Sequence, residues 1–173
     1  MSKSAKYFIC ILLGVFLAVL VKLFVFDLYR IEGTSMEKKF YSGQYIFVNK
    51  LSYGLVNPFQ NKTLLQWKSP KENDIVLFVH SGTLVVKRCA AVEGDLLEYS
   101  ADRDYNLLIK DKSGLVKKII PLTEIQYHSM KGNFSVPKGT ILAVGDNYLD
   151  SVDSRNYGFV PTANILGKVI CKN

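Results

Sequence analysis

Few residues in this chain have side chains able to do nucleophilic or acid–base chemistry at neutral pH. The two histidines, His80 and His128, are not accompanied by a Gly-x-Ser-x-Gly motif, so the sequence does not indicate a Ser-His-Asp triad. What remains is Ser35, Lys87 and the polar run GDNYLDSVDSRNYG over residues 145–158. A serine becomes a nucleophile when a nearby base takes its proton, and a neutral lysine is such a base.

The surroundings of Ser35 and Lys87 favour this chemistry. Ser35 lies in the segment IEGTSM, where Gly33 permits a tight backbone turn. Lys87 ends the apolar run TLVV, and a lysine buried in a strand is driven toward its neutral form. At an unperturbed pKa only about 0.04% of lysines are neutral at pH 7, so a useful base needs a pKa roughly 2 to 3 units lower. If the strand is central, its apolar neighbours can lower the pKa of Lys87 by this amount; taken alone, a serine or a lysine is more often a solvated surface residue.

The three aspartates of residues 145–158 raise the question of a calcium site. Counted from Asp146, the sixth position of an EF-hand loop is Ser151 instead of glycine, and the twelfth is Tyr157 instead of glutamate. No Cys or His cluster has metal-ligand spacing either. The sequence therefore predicts no metal and no cofactor.

The composition limits the class of protein. The chain has 173 residues, 49% of them hydrophobic and 21% charged, which excludes a disordered chain and predicts one compact domain. The net charge of +7 is spread thinly, so no nucleic-acid partner is expected. Three cysteines, Cys10, Cys89 and Cys171, are too few for a disulfide scaffold. Only Cys89 and Cys171 could pair in an oxidising compartment, and nothing in the sequence indicates that they do.

Residues 7–26 form a continuous apolar run that is long enough to cross a bilayer as a helix, since 20 residues span about 30 Å. Its single charge, Lys22, lies near the end of the run, where a lysine reaches the interface. Residues 1–6 carry two lysines and no acidic residue, so we expect them in the cytoplasm and residues 27–173 outside. The alternative of a cleaved signal peptide is disfavoured by the length of the run and the lack of an A-x-A site.

The elements that must position the candidate residues are short strands. Val, Ile, Phe, Tyr and Thr recur in runs separated by turn residues, a pattern typical of an antiparallel β domain with little helix. The predicted strands are Tyr45–Asn49, Ile75–His80, Thr83–Ala91, Leu96–Tyr99, Leu107–Lys110, Lys117–Pro121, Thr140–Val144 and Ile165–Cys171.

Residues 57–71 are less regular and place Phe59, Leu64, Leu65 and Trp67 among polar residues. One interpretation is a loop folded onto the core. The other is a surface that enters the lipid headgroup region, where tryptophan is favoured.

Four segments together resemble the bacterial type I signal peptidases. Ser-Met at 35–36 resembles the S-M-x-P-T-L box, NDIVLF at 73–78 the G-D-I-V-x-F strand, and VKRCAAVEGD at 86–95 the V-K-R-x-x-x-x-x-G-D box. Residues 145–158 follow the signature G-D-N-x-x-x-S-x-D-S-R-x-x-G at every fixed position. The resemblance implies an antiparallel-sheet catalytic domain behind one N-terminal transmembrane helix, with a short insertion near residues 96–140.

The resemblance also implies a Ser/Lys dyad. Ser35 would attack the scissile carbonyl, neutral Lys87 would take its proton, and an acyl-enzyme would form. The backbone N–H of Ser35 would be one oxyanion donor. Some family members add a serine hydroxyl two residues earlier, where this chain has Gly33.

Five further residues match supporting positions of the family. Ser151 corresponds to the serine that hydrogen-bonds and orients the lysine amine. Asp146 with Arg88, and Asp153 with Arg155, correspond to ion pairs that hold the site together.

The resemblance further implies substrates and location. The substrates would be signal peptides of exported preproteins, cut after small residues and bound in extended form beside the strand edges that precede Ser35 and Lys87. The enzyme would lie in the cytoplasmic membrane, in contact with phospholipid, with its catalytic domain on the outer side. Lys87 favours the bacterial form, because homologues of the endoplasmic reticulum carry histidine there.

Two departures from the family pattern leave alternatives open. Lys38, Lys39 and Phe40 replace the usual Pro-Thr-Leu, and Asn73 replaces a glycine, so the turn that holds Ser35 lacks a rigid proline. The alternatives are a catalytically inactive, membrane-tethered homologue that binds signal peptides, and a peptidase dedicated to a pilin or conjugation substrate.

Overall fold

The computed structural model describes residues 3–58 and 60–170. It opens with helix α1, Lys3–Phe24, which buries none of its residues against the rest of the chain. Among the described residues, α1 is the one helix long and apolar enough to cross a membrane. It ends two residues before the predicted limit of the apolar span, and Phe26 already belongs to a strand.

Strands make up most of the described chain after α1. They are β1 (Phe26–Arg30), β2 (Tyr45–Asn49), β3 (Gly54–Asn57), β4 (Lys62–Gln66), β5 (Ile75–His80), β6 (Thr83–Val92), β7 (Leu96–Ser100), β8 (Asn106–Lys110), β9 (Val116–Pro121), β10 (Thr140–Val144), β11 (Val160–Pro161) and β12 (Ile165–Ile170). Two short helices accompany them, α2 (Glu124–Met130) and α3 (Ser154–Tyr157).

The strands form a seven-stranded sheet in the order β1-β2-β12-β5-β6-β10-β11, a three-stranded sheet β7-β8-β9 and a hairpin β3-β4. Every strand pairing described is antiparallel, which confirms the predicted fold class. The strand predicted over Ile165–Cys171 extends to Ile170 in the structure. Cys171 lies outside the described residues, so the structure does not test whether it pairs with the buried Cys89.

The centre of the large sheet is β5, whose first four residues are all buried, Phe78 completely. A strand covered on both faces is apolar throughout instead of alternating, which is why IVLF forms a continuous run. Its partner β6 places Lys87 opposite Val76. The core on either side of these two strands therefore surrounds the lysine with apolar groups.

The insertion between β6 and β10 is small. The three strands β7, β8 and β9 form two successive hairpins, as the sequence predicts, and their buried side chains pack against Met130 of α2. Helix α2 was not predicted, although Thr123 and Gln126 form a capping box at its start.

The interpretation of residues 57–71 as a loop folded onto the core is wrong. Residues 62–66 are the strand β4, paired with β3. Leu64, Leu65 and Trp67 are 63%, 62% and 54% exposed, so they face away from the core. Phe59 lies outside the described residues.

Lys50 joins α1 to the β domain through hydrogen bonds. Its Nζ donates to the carbonyl oxygens of Lys22 and Leu23 at 3.3 and 3.4 Å, and to Asp27 Oδ2 at 2.7 Å. The last carbonyls of a helix have no partner within the helix, so a cation there is stabilising. Only Val25 separates α1 from β1. Helix α1 and the sheet are thus joined by a single residue and the contacts of Lys50.

Candidate active site

Three segments meet at the site: the turn that follows β1 and contains Ser35, the middle of β6, and the loop that follows β10. The register pairs Val144 with Arg88, so the chain leaves β10 just beside Lys87. The loop then returns over the turn, where the backbone N–H of Asn147 donates to the carbonyl of Ser35 at 3.0 Å. These contacts fix Ser35 and Lys87 from two sides.

Lysine 87 is in hydrogen-bonding contact with the serine. Its Nζ lies 2.6 Å from Ser35 Oγ, and the side chain is only 4% exposed. Burial lowers the pKa of the Lys87 amine below its ordinary value, while the negative charge of Asp153 partly opposes this and the positive charge of Arg155 adds to it. A neutral amine at this distance has its lone pair where the hydroxyl proton of Ser35 must go.

The loop after β10 is built around a buried carboxylate. Asp153 is fully buried and accepts hydrogen bonds from the Ser151 hydroxyl at 2.6 Å and from the Gly145 N–H at 2.9 Å. It also forms a double hydrogen bond with Arg155, which is 1% exposed, through Nε and Nη2 at 2.9 Å each. The predicted pair of Asp153 with Arg155 is therefore present. The Ser151 hydroxyl donates its hydrogen bond to Asp153. The role predicted for Ser151, to hydrogen-bond and orient the Lys87 amine, stays a prediction.

The second predicted pair is also present. Arg88 donates to Asp146 through Nε at 2.7 Å and through Nη2 at 2.5 Å, a two-point contact that fixes both side chains. Arg88 Nη1 reaches the carbonyl of Asn73 at 3.1 Å. Asn73 itself has a φ of 67°, in the region that glycine adopts most easily, which is why a glycine is expected at this position. The pair ties the loop to the turn before β5.

Gly145 is the point of closest packing in the site. A Cβ placed on it would lie 2.2 Å from Ser151 Oγ and 2.7 Å from the carbonyl oxygen of Ser35. Only a residue without a side chain lets the loop approach the serine this closely.

A groove of about 630 Å³ leads to the dyad. One wall is the end of β1 with the turn after it, and the other is the first half of β6. Its lining residues are Tyr29, Arg30, Ile31, Glu32, Ser35, Met36, Leu77, Gly82, Thr83, Leu84, Val85, Val86, Lys87 and Val152. The groove has the dimensions of a site for an extended peptide, and no group of three or more His, Cys, Asp or Glu suited to a metal lies within residues 3–58 and 60–170.

Comparison with known families decides the assignment of this site. The family model described as signal peptidase, peptidase S26, matches residues 4–172. This chain belongs to the signal peptidase family. Its members are serine endopeptidases, so the chain is a hydrolase of peptide bonds.

Curated relatives agree with this family. The chain is similar to signal peptidase I of Bacillus caldolyticus, with 32% identity over 86% of this chain and 80% of that protein. It is 29% identical to signal peptidase I V of Bacillus subtilis strain 168, over 96% of this chain and 97% of that one. A crystal structure of a signal peptidase I from Enterococcus faecalis V583 covers 60% of this chain and 98% of its own, with 26% identity and a TM-score of 0.40.

In this signal peptidase, the departure from Pro-Thr-Leu does not leave the serine turn unsupported. Met36 and Phe40, four residues apart in this turn, are 2% and 4% exposed. The backbone N–H groups of Lys39 and Phe40 both donate to the carbonyl of Met36. Lys38 Nζ lies 5.2 Å from the centre of the Tyr148 ring, which joins the turn to the loop. Buried side chains and a cation–π contact thus supply the rigidity that a proline gives elsewhere.

Sequence reasoning did not single out three residues that hold the signal peptidase serine. The Thr34 hydroxyl donates to Asp150, and Asn147 Nδ2 donates to the carbonyl of Thr34 at 3.3 Å. Thr34 precedes the serine, and both partners lie in the motif over 145–158, so their closeness in the fold is visible only once the two segments are seen together. The Ser35 N–H, by contrast, donates to no acceptor within the described residues.

Proposed function

We propose that this chain is a membrane-anchored signal peptidase that removes N-terminal signal peptides from exported preproteins after small residues, with Ser35 as nucleophile and Lys87 as general base. One observation carries the proposal: a buried amine with a lowered pKa lies 2.6 Å from a serine hydroxyl at the end of a peptide-sized groove. Family membership supplies the reaction class, and the curated relatives are named signal peptidases.

The reaction follows from these groups. Ser35 Oγ attacks the scissile carbonyl carbon and its proton passes to the Lys87 amine, which gives a tetrahedral oxyanion. The free N–H of Ser35 donates to that oxygen. Collapse breaks the C–N bond, and the Lys87 ammonium returns its proton to the leaving amine. Water, deprotonated by Lys87, then hydrolyses the acyl-enzyme and releases the signal peptide with a new carboxylate.

The strand pattern supports binding of the signal peptide as an added strand. β10 pairs with β6 only from Arg88 to Val92, so Thr83–Lys87 has no sheet neighbour on that side. β1 is likewise an edge strand of the large sheet. Main-chain groups on these two edges are free to pair with an extended peptide and to bring its scissile bond to the dyad.

The anchor supports a location in the cytoplasmic membrane with residues 1–6 inside and residues 27–173 on the outer side. Helix α1 is apolar, buries no residue, and has the length to cross a bilayer. The sheet beside it carries an exposed apolar row, in which Leu28, Phe47 and Ile170 are cross-strand neighbours. This exposed apolar row, on the strands next to a helix long enough to span a membrane, suits contact with phospholipid.

The hairpin β3-β4 fits the same orientation. β3 contacts α1, and the adjoining β4 exposes Leu64 and Leu65, with Trp67 just beyond its end. These side chains suit the headgroup region, where tryptophan is favoured. The surface proposed to enter the headgroup region, first suggested for residues 57–71, then includes both strands of the hairpin.

The decisive experiment is cleavage of a preprotein carrying an A-x-A site by the detergent-solubilised protein. We expect Ser35→Ala and Lys87→Ala each to lower kcat by a factor of at least about 1,000, because nucleophile and base act as a unit. Ser100→Ala and Lys110→Ala, on the small sheet, are the matched controls and should cleave at the wild-type rate. Cleavage retained in both dyad variants would exclude the dyad.

The same assay separates the two alternatives. An inactive homologue would bind the signal peptide and release no product. A peptidase dedicated to a pilin or conjugation substrate would cleave one preprotein and leave unrelated A-x-A preproteins intact.

A further inference from the structure

A second cavity, of about 370 Å³, adjoins the groove and has neither Ser35 nor Lys87 in its lining. It is formed between the start of α2 and the loop after β10. Val152 lines both cavities, and Ser151 adjoins it. Its lining residues are Pro121, Leu122, Thr123, Ile125, Gln126, Tyr148, Leu149, Asp150, Ser151, Val152, Arg155 and Asn156.

The position of this cavity relates it to one half of a bound substrate. The following argument rests on the proposed function, in which the signal peptide lies beside Thr83–Lys87 and its last residue reaches Ser35. Ser35 and Lys87 line the groove alone, whereas Val152 lines both cavities, so Val152 offers a path from the groove into the second cavity. An extended chain advances about 3.3 Å per residue, so the residues about 7 to 13 Å beyond the bond, the second to fourth, would enter the second cavity along that path.

The chemistry of the cavity is apolar at its rim. Leu149 is 98% exposed, Ile125 81% and Val152 71%, although side chains of this size are usually covered when they cluster. The polar groups of the floor are satisfied within the protein: Gln126 Nε2 donates to Asn156 Oδ1, and the Gln126 side-chain carbonyl accepts from the Thr123 N–H. The rim therefore offers apolar contact, and the floor leaves few polar groups to bind.

The negative charge of Asp150 affects which substrate side chains the cavity accepts. Asp150 lies in the wall, is exposed, and forms no ion pair with a described residue. Its carboxylate accepts a hydrogen bond from the Thr34 hydroxyl. A carboxylate in such a position repels an acidic side chain of the substrate.

We propose that the second cavity binds the first residues of the mature protein, downstream of the scissile bond, and selects apolar over acidic side chains there. Leu149 and Ile125 hold the apolar side chain from opposite walls, and Asp150 disfavours an acidic one. Specificity would then be set on both sides of the cut, by the groove for the signal peptide and by the second cavity for the mature chain.

The test compares peptides that share one A-x-A sequence up to the cut. One peptide ends one residue after the bond as an amide, before the positions assigned to the cavity; three others continue for six residues with leucines, serines or glutamates at the second to fourth positions. With the wild-type protein we expect kcat/KM for the leucine peptide to exceed that for the serine peptide by about 3- to 10-fold, mainly through KM, and the glutamate peptide to be poorest.

Variants assign the preference to the cavity. Leu149→Ser and Ile125→Ser should each remove most of the advantage of leucine over serine while leaving kcat/KM for the truncated peptide unchanged. Asp150→Asn should narrow the gap between glutamate and serine peptides. Leu115→Ser is the matched control, since Leu115 is 69% exposed in the turn before β9, and it should keep the wild-type order.

The outcomes separate this inference from the function on which it rests. If the wild-type protein cleaves no peptide, the proposed function fails. If it cleaves all four with equal kcat/KM, or if Leu149→Ser and Leu115→Ser behave alike, the second cavity does not bind the mature chain and the proposed function stands.

Discussion

At the scale of single residues, Lys87 shows the conflict between stability and reactivity. A lysine that is 4% exposed gives up the hydration of its charge, and no carboxylate forms an ion pair with it in the described residues. The lowered pKa is the result, because burial acts against the charged form. The same desolvation that would make the amine a base in the proposed mechanism therefore reduces the free energy of unfolding.

We predict that Lys87→Met stabilises the fold at neutral pH, by on the order of 1 kcal/mol, while abolishing cleavage. The lysine in the unfolded chain keeps its ordinary pKa of 10.5 and the folded chain has a lower one, so the unfolded state binds more protons between the two values. Wild-type stability then rises with pH through the lowered pKa toward 10.5, and the advantage of the variant should shrink over that interval. Denaturant unfolding in detergent at several pH values measures the difference; a gap that stays constant or widens with pH would contradict the prediction.

Gly145 gives a second prediction at this scale. In Gly145→Ala the new Cβ would need to displace Ser151 and the carbonyl of Ser35, so the dyad should lose its alignment and kcat should fall by about 100-fold. Gly132→Ala is the control, because a Cβ there meets nothing within 4 Å. Steady-state cleavage of a peptide substrate measures both, and equal kcat values for the two variants would show that the loop can relax.

The sequence was sufficient to predict that Ser35 and Lys87 lie together, because the motifs around them resemble those of the type I signal peptidases, and that resemblance implies a Ser/Lys dyad. It was not sufficient for Thr34, Asn147 and their contacts. These residues act through backbone carbonyls and a hydroxyl, which leave no distinctive pattern in a single chain. Their roles depend on how two distant segments cross, a property of the fold.

At the scale of elements, the loop after β10 is held by its own buried ion pair. Asp153 caps the start of α3 by accepting from the Arg155 N–H, and Arg155 Nη2 reaches back to the carbonyls of Tyr148 and Ser151. One carboxylate and one guanidinium thus set the shape of the loop that lies over the serine turn.

We expect Arg155→Met to lower the free energy of unfolding by about 3–5 kcal/mol, because it leaves the buried carboxylate of Asp153 without a partner. Lys110→Met is the control. Its partner Glu98 is 58% exposed, so loss of that pair should cost under about 1 kcal/mol. Urea unfolding followed by circular dichroism distinguishes them, and similar losses in the two variants would mean that the ion pair contributes little.

Element boundaries were predicted best where the apolar run and its turn residues coincide. β2, β5 and β10 begin and end at the predicted residues. β1 was missed because it follows α1 after one residue, so its apolar side chains merge with those of the helix. β4 was missed because its leucines face outward on a polar hairpin. α2 was missed because its seven residues are too few to show the periodicity of an amphipathic helix.

At the scale of the whole molecule, exposed apolar residues lie both on α1 and on the strands β1, β2 and β12 of the large sheet. Because α1 contributes no buried residue, the β domain should fold without residues 1–24. The exposed row of Leu28, Phe47 and Ile170 should then still bind phospholipid.

We predict that the shortened chain floats with phospholipid vesicles and that the double variant Leu28→Ser and Phe47→Ser weakens this binding by about tenfold, because two large apolar side chains no longer enter the lipid. The control is Leu115→Ser with Ile119→Ser, a pair of exposed apolar residues in the turn before β9 and in β9 itself. Flotation of both variants on a density gradient gives the comparison; equal binding would show that the row does not face the bilayer.

The joint between α1 and β1 has a consequence for which substrates are cut. One residue and the contacts of Lys50 join α1 to the sheet, so in the proposed membrane position the catalytic centre would lie at a set height above the lipid. A preprotein held in the same bilayer must present its cut position at that height. The enzyme would therefore select a cut position by its distance from the membrane surface as well as by side-chain size, and would not cut after small residues that lie too near that surface or too far from it.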